Sequence, residues 1–236
     1  MDRIKIAGKL TIKDWIDLVG NLEESEVTID YNSNEKWSLA FYFFEERIRT
    51  RYLNPINAIL KMPDKSGEGF AVVNLQCSLI ETIESFINGW IYHNDKDSKI
   101  SIGWYLRKIE KENRHKIQID PVIFLKNEHI FISFFKERKP FCGLGVDGLD
   151  FYKSVRCGLL HETQTKNGWI IRVDGPNSID NKIIYRNNFQ RELEDLIIDY
   201  KSSIVEDKKL NNIESVELRK NFISKFNHIC KESLKK

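Results

Sequence analysis

Residues 70–90 read FAVVNLQCSLIETIESFINGW, and this stretch gives the chain its clearest helical pattern. Its apolar side chains recur at helical spacing on two adjacent stripes, which together make a wide apolar arc. The narrow polar face that remains carries Gln76, Glu81, Ser85 and Asn88. Because so wide an arc needs several surfaces to cover it, the stretch predicts a helix with several packing neighbours.

Helical spacing predicts further helices on both sides of this stretch. They cover residues 11–24, 37–52, 102–113, 128–138, 150–163, 188–202 and 213–231. Within residues 37–52, the segment 41–44 is equally compatible with a strand, and the charged residues 45–47, which continue the helical pattern, favour the helix.

Strand periodicity is confined to residues 27–31 and to residues 169–173 with 182–185, which predict a two-stranded hairpin. The expected fold class is therefore mainly α: a helical bundle with a small β-hairpin after the helix at 150–163 and an N-terminal α/β extension. Pro55 and the breaker cluster at 63–67 place a boundary near residue 66. This boundary separates an N-terminal extension, residues 1–66, from a helical domain, residues 67–236.

The composition of the 236 residues is that of a folded protein, with 41% hydrophobic and 11% aromatic residues. The net charge of +2 hides an even mixture of acids and bases, so no global field draws the chain to nucleic acid. Any contact with RNA must then come from a local patch. The basic residues near the C-terminus alternate with acids and predict a solvated face: Lys208, Lys209, Arg219, Lys220, Lys225, Lys231, Lys235 and Lys236.

The cysteines, Cys77, Cys142, Cys157 and Cys230, are widely spaced, which argues against a zinc site and a disulfide framework and predicts free thiols. The first residues lack the apolar run of a signal peptide, and no stretch approaches the ~20 uncharged apolar residues of a membrane span. We therefore expect a soluble, cytoplasmic protein with no membrane partner, no metal and no cofactor.

The stretch most suggestive of chemistry is VRCGLLHE, residues 155–162, in which four residues separate Arg156 from His161. Arginine supplies a permanently charged fork suited to a phosphate, and histidine exchanges a proton near neutral pH. On a regular helix the five-residue step turns the two side chains about 140° apart. The pair therefore predicts a site in a cleft between helices, or one assembled from two copies of the chain.

Two further faces of this helix can be assigned from the spacing. Phe151, Val155 and Leu159 form an apolar stripe that is expected to face the core. The small residues Ser154, Cys157 and Gly158 share a face with His161, so another helix or a substrate could approach the imidazole there.

The Arg-x4-His spacing and the helical layout over residues 70–163 resemble the HEPN superfamily. In the RNases of that superfamily, the arginine and histidine of two protomers meet across a symmetric dimer and cut RNA without metal. The resemblance assigns these roles to Arg156 and His161. Those RNases often have Asn, Asp or His directly after the arginine, whereas this chain has Cys157; either the polar helper is absent or Cys157 replaces it.

The resemblance implies a metal-independent endoribonuclease of a bacterial toxin or phage-defence system. Its partners would be single-stranded RNA, a second copy of the chain, and an antitoxin or defence-system protein. Tyr152, Lys153, Cys157 and Glu162 are expected to support the pair from nearby positions.

The alternative is a non-catalytic HEPN-like helical module for dimerisation or for binding a protein partner. In that case Arg156 is a partly buried arginine paired with Glu162, Glu81 or Glu84. His161 would then be a histidine near a helix C-terminus, where the helix dipole favours its charge.

Overall fold

The computed structural model describes residues 3–22, 29–30, 32–63, 66–93, 103–106 and 123–235. These residues form a mainly helical fold with small β-elements, as expected. The helices are α1 (Ile12–Val19), α2 (Asn34–Ile48), α3 (Asn54–Leu60), α4 (Glu68–Ile87), α5 (Asn127–Glu137), α6 (Gly148–Phe151), α7 (Cys157–Glu162), α8 (Arg186–Val205) and α9 (Ser215–Leu234). The strands are β1 (Lys5–Ala7), β2 (Leu10–Thr11), β3 (Ile91–His93), β4 (Gly103–Leu106), β5 (Ile123–Leu125), β6 (Ile170–Arg172), β7 (Ile179–Asp180) and β8 (Ile183–Tyr185).

The predicted helix at 70–90 is confirmed as α4, and it packs against α3, α5, α8 and α9. Aromatic rings join it to its neighbours: the ring centroids of Phe86 lie 4.8 Å from those of Phe44 and 4.9 Å from those of Phe226. Side chains from both sides of residue 66 belong to one buried hydrophobic cluster, which runs from Ile6 to Cys230. Among the described residues, α4 is the one helix long and apolar enough to cross a membrane, but 61% of its apolar window is buried inside the protein, as in a core helix.

The helix predicted for residues 11–24 is confirmed as the shorter α1. Its N-terminus is fixed by a capping box in which Thr11 accepts a hydrogen bond from the backbone of Asp14, and the Asp14 carboxylate accepts one from the backbone of Thr11. Gly20, with φ of 84°, ends the helix. The strand predicted for residues 27–31 falls largely outside the described residues.

The helix predicted for 37–52 is confirmed as α2, which continues through a π-helical turn, Arg49–Leu53, into α3. Pro55 therefore does not interrupt the helix, although the sequence pattern predicted it to mark a boundary. It occupies the first turn of α3, directly after the π turn. Proline lacks an N–H and crowds the preceding turn, and the wider π turn accommodates both effects.

The helix predicted for 102–113 is wrong where it can be checked, because Gly103–Leu106 is the strand β4. It lies between β3 and β5 in an antiparallel sheet, with Trp104 opposite Tyr92 on one side and Leu125 on the other. Aromatic residues fit a strand well once neighbouring strands supply partners. Residues 107–113 lie outside the described part of the chain.

The hairpin predicted between 169–173 and 182–185 is also wrong, because β6 and β8 pair in parallel, with Ile170 opposite Ile183. The hairpin that does form joins β7 to β8. Its turn residues, Asn181 and Lys182, have φ of 44° and 63°. Left-handed backbone at both turn positions suits a tight hairpin.

The remaining predicted helices are confirmed. Residues 128–138 correspond to α5, residues 188–202 to α8 and residues 213–231 to α9. The helix predicted at 150–163, called the motif helix below, comprises α6, a π-helical turn (Tyr152–Arg156) and α7.

Candidate functional site

Capping residues define both ends of the motif helix. Asp147 caps α6 by accepting hydrogen bonds from the backbone N–H groups of Leu149, at 2.9 Å, and Asp150, at 3.3 Å. Thr163, with φ of 57°, ends α7. The π turn between them makes the helix less regular than its sequence spacing indicated, and such turns occur frequently at functional sites.

Arg156 is held by an acidic residue of α4. Its Nε donates a hydrogen bond to Glu81 Oε1 at 2.8 Å, and the two side chains are 19% and 16% exposed. Burial alone would lower the pKa of Arg156, but the Glu81 carboxylate outweighs it and raises that pKa. Glu81 accepts a hydrogen bond only from Nε of Arg156. The two terminal nitrogens of the guanidinium have no hydrogen-bond partner within the described part of the chain. The guanidinium is thus oriented while two nitrogens remain to meet an anion.

His161 lies five residues beyond Arg156, near the end of α7, and is exposed. Its imidazole has no hydrogen-bond partner among the described residues. The adjacent Leu160 is also exposed, at 48%, so an apolar surface borders the imidazole. On the opposite side, Phe151, Val155 and Leu159 are buried, and the predicted core-facing stripe is confirmed.

The small-residue face of the motif helix is covered at Ser154 and Gly158, which corrects the expectation that another helix or a substrate could approach it there. A Cβ built on Gly158 would lie 2.5 Å from the backbone oxygen of Gln164. The backbone N–H of Lys166 donates to Ser154 O at 2.9 Å, and Asn167 Nδ2 donates to Ser154 Oγ at 2.8 Å. Because glycine and serine leave room for backbone, the segment after α7 folds back and covers Ser154 and Gly158, whereas His161 on the same face stays exposed.

Asp150 connects the motif helix to the β-region that follows it. It accepts hydrogen bonds from Ser154 Oγ at 2.7 Å and Trp169 Nε1 at 3.0 Å, and it pairs with Lys182 Nζ at 2.9 Å. The hydrogen bond from Lys182 is the main cause that lowers the pKa of Asp150. Asp150 could not be identified from the sequence, because Trp169 and Lys182 belong to a β-region whose topology the sequence pattern did not reveal.

Two of the four supporting residues expected beside the pair interact with each other. Tyr152 is half-buried, and burial together with a hydrogen bond to Cys157 raises the pKa of Tyr152 to about 12. Cys157 therefore has a polar partner within its own helix. Lys153 and Glu162 are exposed, and Glu162 pairs with Lys166 in the segment that folds back.

A basic groove lies in the N-terminal part of the chain. It has a volume of about 580 Å³ and is lined by Lys5, Lys9, Arg49 and Arg51, with the exposed ring of Tyr42 beside them. Glu46, the acid of this lining, is paired with Arg49 through a 2.5 Å contact. This is the kind of local basic patch that the small net charge requires of an RNA-binding protein.

The C-terminal basic residues are not all solvated, which corrects a second expectation. Arg219 is 1% exposed, donates from Nε to Ile204 O at 2.8 Å and lies 4.7 Å above the ring of Trp37. Lys225 is 7% exposed, donates from Nζ to Trp90 O at 2.7 Å and lies 4.9 Å above the ring of Trp104. Aromatic faces and backbone oxygens replace water around these two charges.

The burial of Lys225 predicts a pH-dependent stability. Burial, with a smaller contribution from Arg47, lowers its pKa to about 7. The pKa of a lysine in an unfolded chain is ~10.4. Between pH 7 and this value, the unfolded chain binds a proton that the folded chain lacks, so folding stability rises with pH. Each pKa unit corresponds to about 1.36 kcal/mol of unfolding free energy. Because the Trp104 ring stabilises the charged lysine and opposes the shift, we expect Lys225 to raise the free energy of unfolding by about 2–3 kcal/mol over this pH range.

Urea unfolding of wild type and Lys225→Met at pH 7 and pH 10 measures this rise, with the exposed Lys220→Met as the matched control. We expect the difference between the two pH values to shrink in Lys225→Met and to persist in Lys220→Met. Equal pH dependence in all three proteins would contradict the lowered pKa.

The described residues contain no group of three or more His, Cys, Asp or Glu side chains that could hold a metal ion. The four cysteines are free thiols: Cys77 and Cys230 are buried, Cys142 is exposed and Cys157 is half-buried. The chain matches no protein-family model, and neither curated proteins nor solved structures give a match.

Proposed function

We propose that this protein is a HEPN-like, metal-independent endoribonuclease of a bacterial toxin or phage-defence system, acting on single-stranded RNA in the cytoplasm. The observation that carries the proposal is the state of the Arg-x4-His pair. Glu81 orients Arg156 through Nε alone, and His161 is exposed and without a partner among the described residues. One side chain is thus fixed for an anion and the other is accessible for proton transfer.

In the proposed reaction, the RNA 2′-oxygen attacks the adjacent phosphorus and the 5′-oxygen leaves. His161 takes the proton of the 2′-hydroxyl or gives one to the leaving oxygen, which suits an imidazole near neutral pH. Arg156 binds the phosphate and stabilises the charge that develops in the transition state. The products are a 2′,3′-cyclic phosphate and a 5′-hydroxyl. The basic groove around Lys9 and Arg51 would supply further positive charge for RNA phosphates.

A symmetric dimer would bring two such pairs together. Because Ser154 and Gly158 are covered by the chain itself, we place the dimer contact at the exposed surface around Leu160 and His161. Leu160 supplies apolar area next to the imidazole, as a twofold contact around a shared site requires. An antitoxin or a defence-system protein could inhibit the enzyme by covering the same surface.

Incubation of purified protein with single-stranded RNA in the presence of EDTA tests the proposal. We expect cleavage whose 3′ ends are cyclic phosphates, because the attacking group is the neighbouring 2′-hydroxyl and no metal-bound water takes part. Cleavage that occurs only after Mg²⁺ is added, or 3′-hydroxyl products, would contradict the mechanism. RNA preparations of varied sequence serve as substrates, because the sequence preference of the site is not specified by Arg156 and His161.

The second candidate is a non-catalytic HEPN-like module. The Arg156–Glu81 ion pair favours it, because this pair joins the motif helix to α4 and has a structural role whether or not RNA is cut. In that case wild type leaves RNA intact under all conditions, and both Arg156→Ala and Glu81→Ala lower thermal stability by similar amounts, since each removes the same contact.

A further inference from the structure

The N-terminus of α4 borders a cavity whose lining includes neither Arg156 nor His161. This cavity of about 190 Å³ opens between the first turn of α4 and strand β6. Its lining includes Gly67, Gly69, Arg172 and Arg186. A volume of this size holds a phosphate group and a few waters, at about 30 Å³ per water, but not a nucleotide.

Arg186 is a buried cation whose hydrogen-bonding capacity is incompletely used. Its side chain is 3% exposed and lines the cavity, yet Nε and Nη1 have no hydrogen-bond partner. Nη1 lies 2.9 Å from Glu68 Oε1, so the two charges are close without the geometry of a hydrogen bond. Buried donors without acceptors are costly and rare in folded proteins, and a bound water or ion is one explanation for them.

The helix N-terminus adds donors and positive potential to the same cavity. α4 has 20 residues, and its N-cap residue, Gly67, has no side chain that could accept from the first N–H groups. The aligned peptide dipoles of a helix this long favour negative charge at its N-terminus. Gly67 adopts φ of 88°, a left-handed conformation that glycine permits without strain.

The charge and shape of the lining match a small anion. Arg172 and Arg186 carry two positive charges against the one negative charge of Glu68. A Cβ built on Gly69 would lie 3.7 Å from Arg186 Nη1 and 3.2 Å from Ile171 Cγ2. Glycine at position 69 therefore keeps open the space next to the guanidinium.

We propose that this cavity is a phosphate-binding site, formed by Arg186, Arg172 and the first backbone N–H groups of α4. The phosphate is either a free ion or the terminal phosphate of a nucleic acid. This inference does not depend on RNA cleavage, because none of its residues belongs to the Arg156 and His161 pair.

Two-dimensional ¹H–¹⁵N NMR of the full chain, titrated with inorganic phosphate at constant ionic strength, tests the site directly. The backbone N–H resonances of Glu68 and Gly69 should move with a saturable dependence on phosphate and should not move with chloride. Resonance changes confined to other parts of the chain, or none at all, would overturn the proposal.

Variants test whether the named residues hold the ion. Phosphate at tenfold its dissociation constant should raise the melting temperature of wild type by about 3 °C relative to chloride. Arg172→Ala and Gly69→Ala, which remove a charge and fill the space, should lose most of this rise. Arg191→Ala, an exposed arginine in α8 outside the lining, should keep it. Equal rises in all four proteins would show a general salt effect and overturn the proposal.

The source of the phosphate is distinguished by competition. A short RNA with a 5′-phosphate displaces inorganic phosphate from the site if the cavity receives a nucleic-acid terminus, and the same RNA with a 5′-hydroxyl does not. If neither RNA competes, the ligand is the free ion. We expect His161→Ala to bind phosphate as wild type does, even where it no longer cleaves RNA. The two proposals can therefore be tested separately.

Discussion

His161→Ala is expected to lower the rate of RNA cleavage by about 10²–10⁴-fold while leaving the fold intact, because general acid–base catalysis typically contributes that factor. Its imidazole is exposed and has no partner in the described part of the chain, so truncation removes no packing. A gel assay with excess RNA in EDTA measures the rate, and circular dichroism checks the fold. Undiminished cleavage by this variant would exclude His161 as the catalytic acid or base.

Arg156 should be equally necessary, but its replacement needs a finer control. Arg156→Ala also leaves Glu81 unpaired, so lost activity alone does not separate catalysis from structure. Glu81→Gln keeps an acceptor for Nε and removes only the charge, and we expect it to retain most of the activity. Lys136→Ala, an exposed charge in α5, should leave the rate unchanged. If Glu81→Gln and Arg156→Ala lose activity together with thermal stability, the structural role of the pair is favoured.

Mixing the two inactive variants tests whether the site is shared between protomers. A heterodimer of Arg156→Ala and His161→Ala chains retains one arginine and one histidine. If the two residues act across the dimer interface, the mixture regains part of the activity that each variant lacks alone. No recovery, in a mixture shown to exchange subunits, would place both residues of a working pair within one chain.

The helices could be predicted from the sequence because their signal is local. Phe70, Val73 and Cys77 recur at helical spacing whatever surrounds them, and α4 appears where that spacing places it. The small sheets could not be predicted in the same way. Whether Trp104 belongs to a strand depends on Tyr92 and Leu125, and the direction of β6 is set by β7 and β8, which follow it in the chain. Pairing with strands elsewhere in the chain produces no periodic pattern in the sequence.

The candidate site shows the same division between local and non-local information. The spacing placed Phe151, Val155 and Leu159 on the buried side of the motif helix, and they are buried. The sequence also allowed three acids, Glu162, Glu81 and Glu84, as partners of Arg156 in its structural interpretation. It could not choose among them, because that choice depends on how α4 packs against the motif helix. The covering of Gly158 by Gln164 likewise depends on a backbone turn after α7.

The buried partner of Glu84 is Arg138, at the end of α5, and this pair predicts the largest effect on stability. Arg138 Nε donates to Glu84 Oε1 at 2.5 Å and Nη2 donates to Oε2 at 3.1 Å. The two side chains are 1% and 0% exposed. Asn88 Nδ2 donates a third hydrogen bond to the carboxylate, at 3.0 Å. The pair connects two helices in surroundings that water does not reach.

Arg138→Met should therefore lower the free energy of unfolding by about 3–5 kcal/mol, because it leaves the Glu84 charge buried without its partner. Replacing both residues by methionine should cost far less than the sum of the two single replacements, since no buried charge remains and the apolar side chains fill a similar volume. Urea unfolding of the single and double variants gives this coupling. The exposed pair Lys208–Glu206, with side chains 62% and 50% exposed, is the matched control, and Lys208→Met should change stability little. Strict additivity at Glu84 and Arg138 would mean that each charge is solvated independently, which is incompatible with a closed pair between α4 and α5.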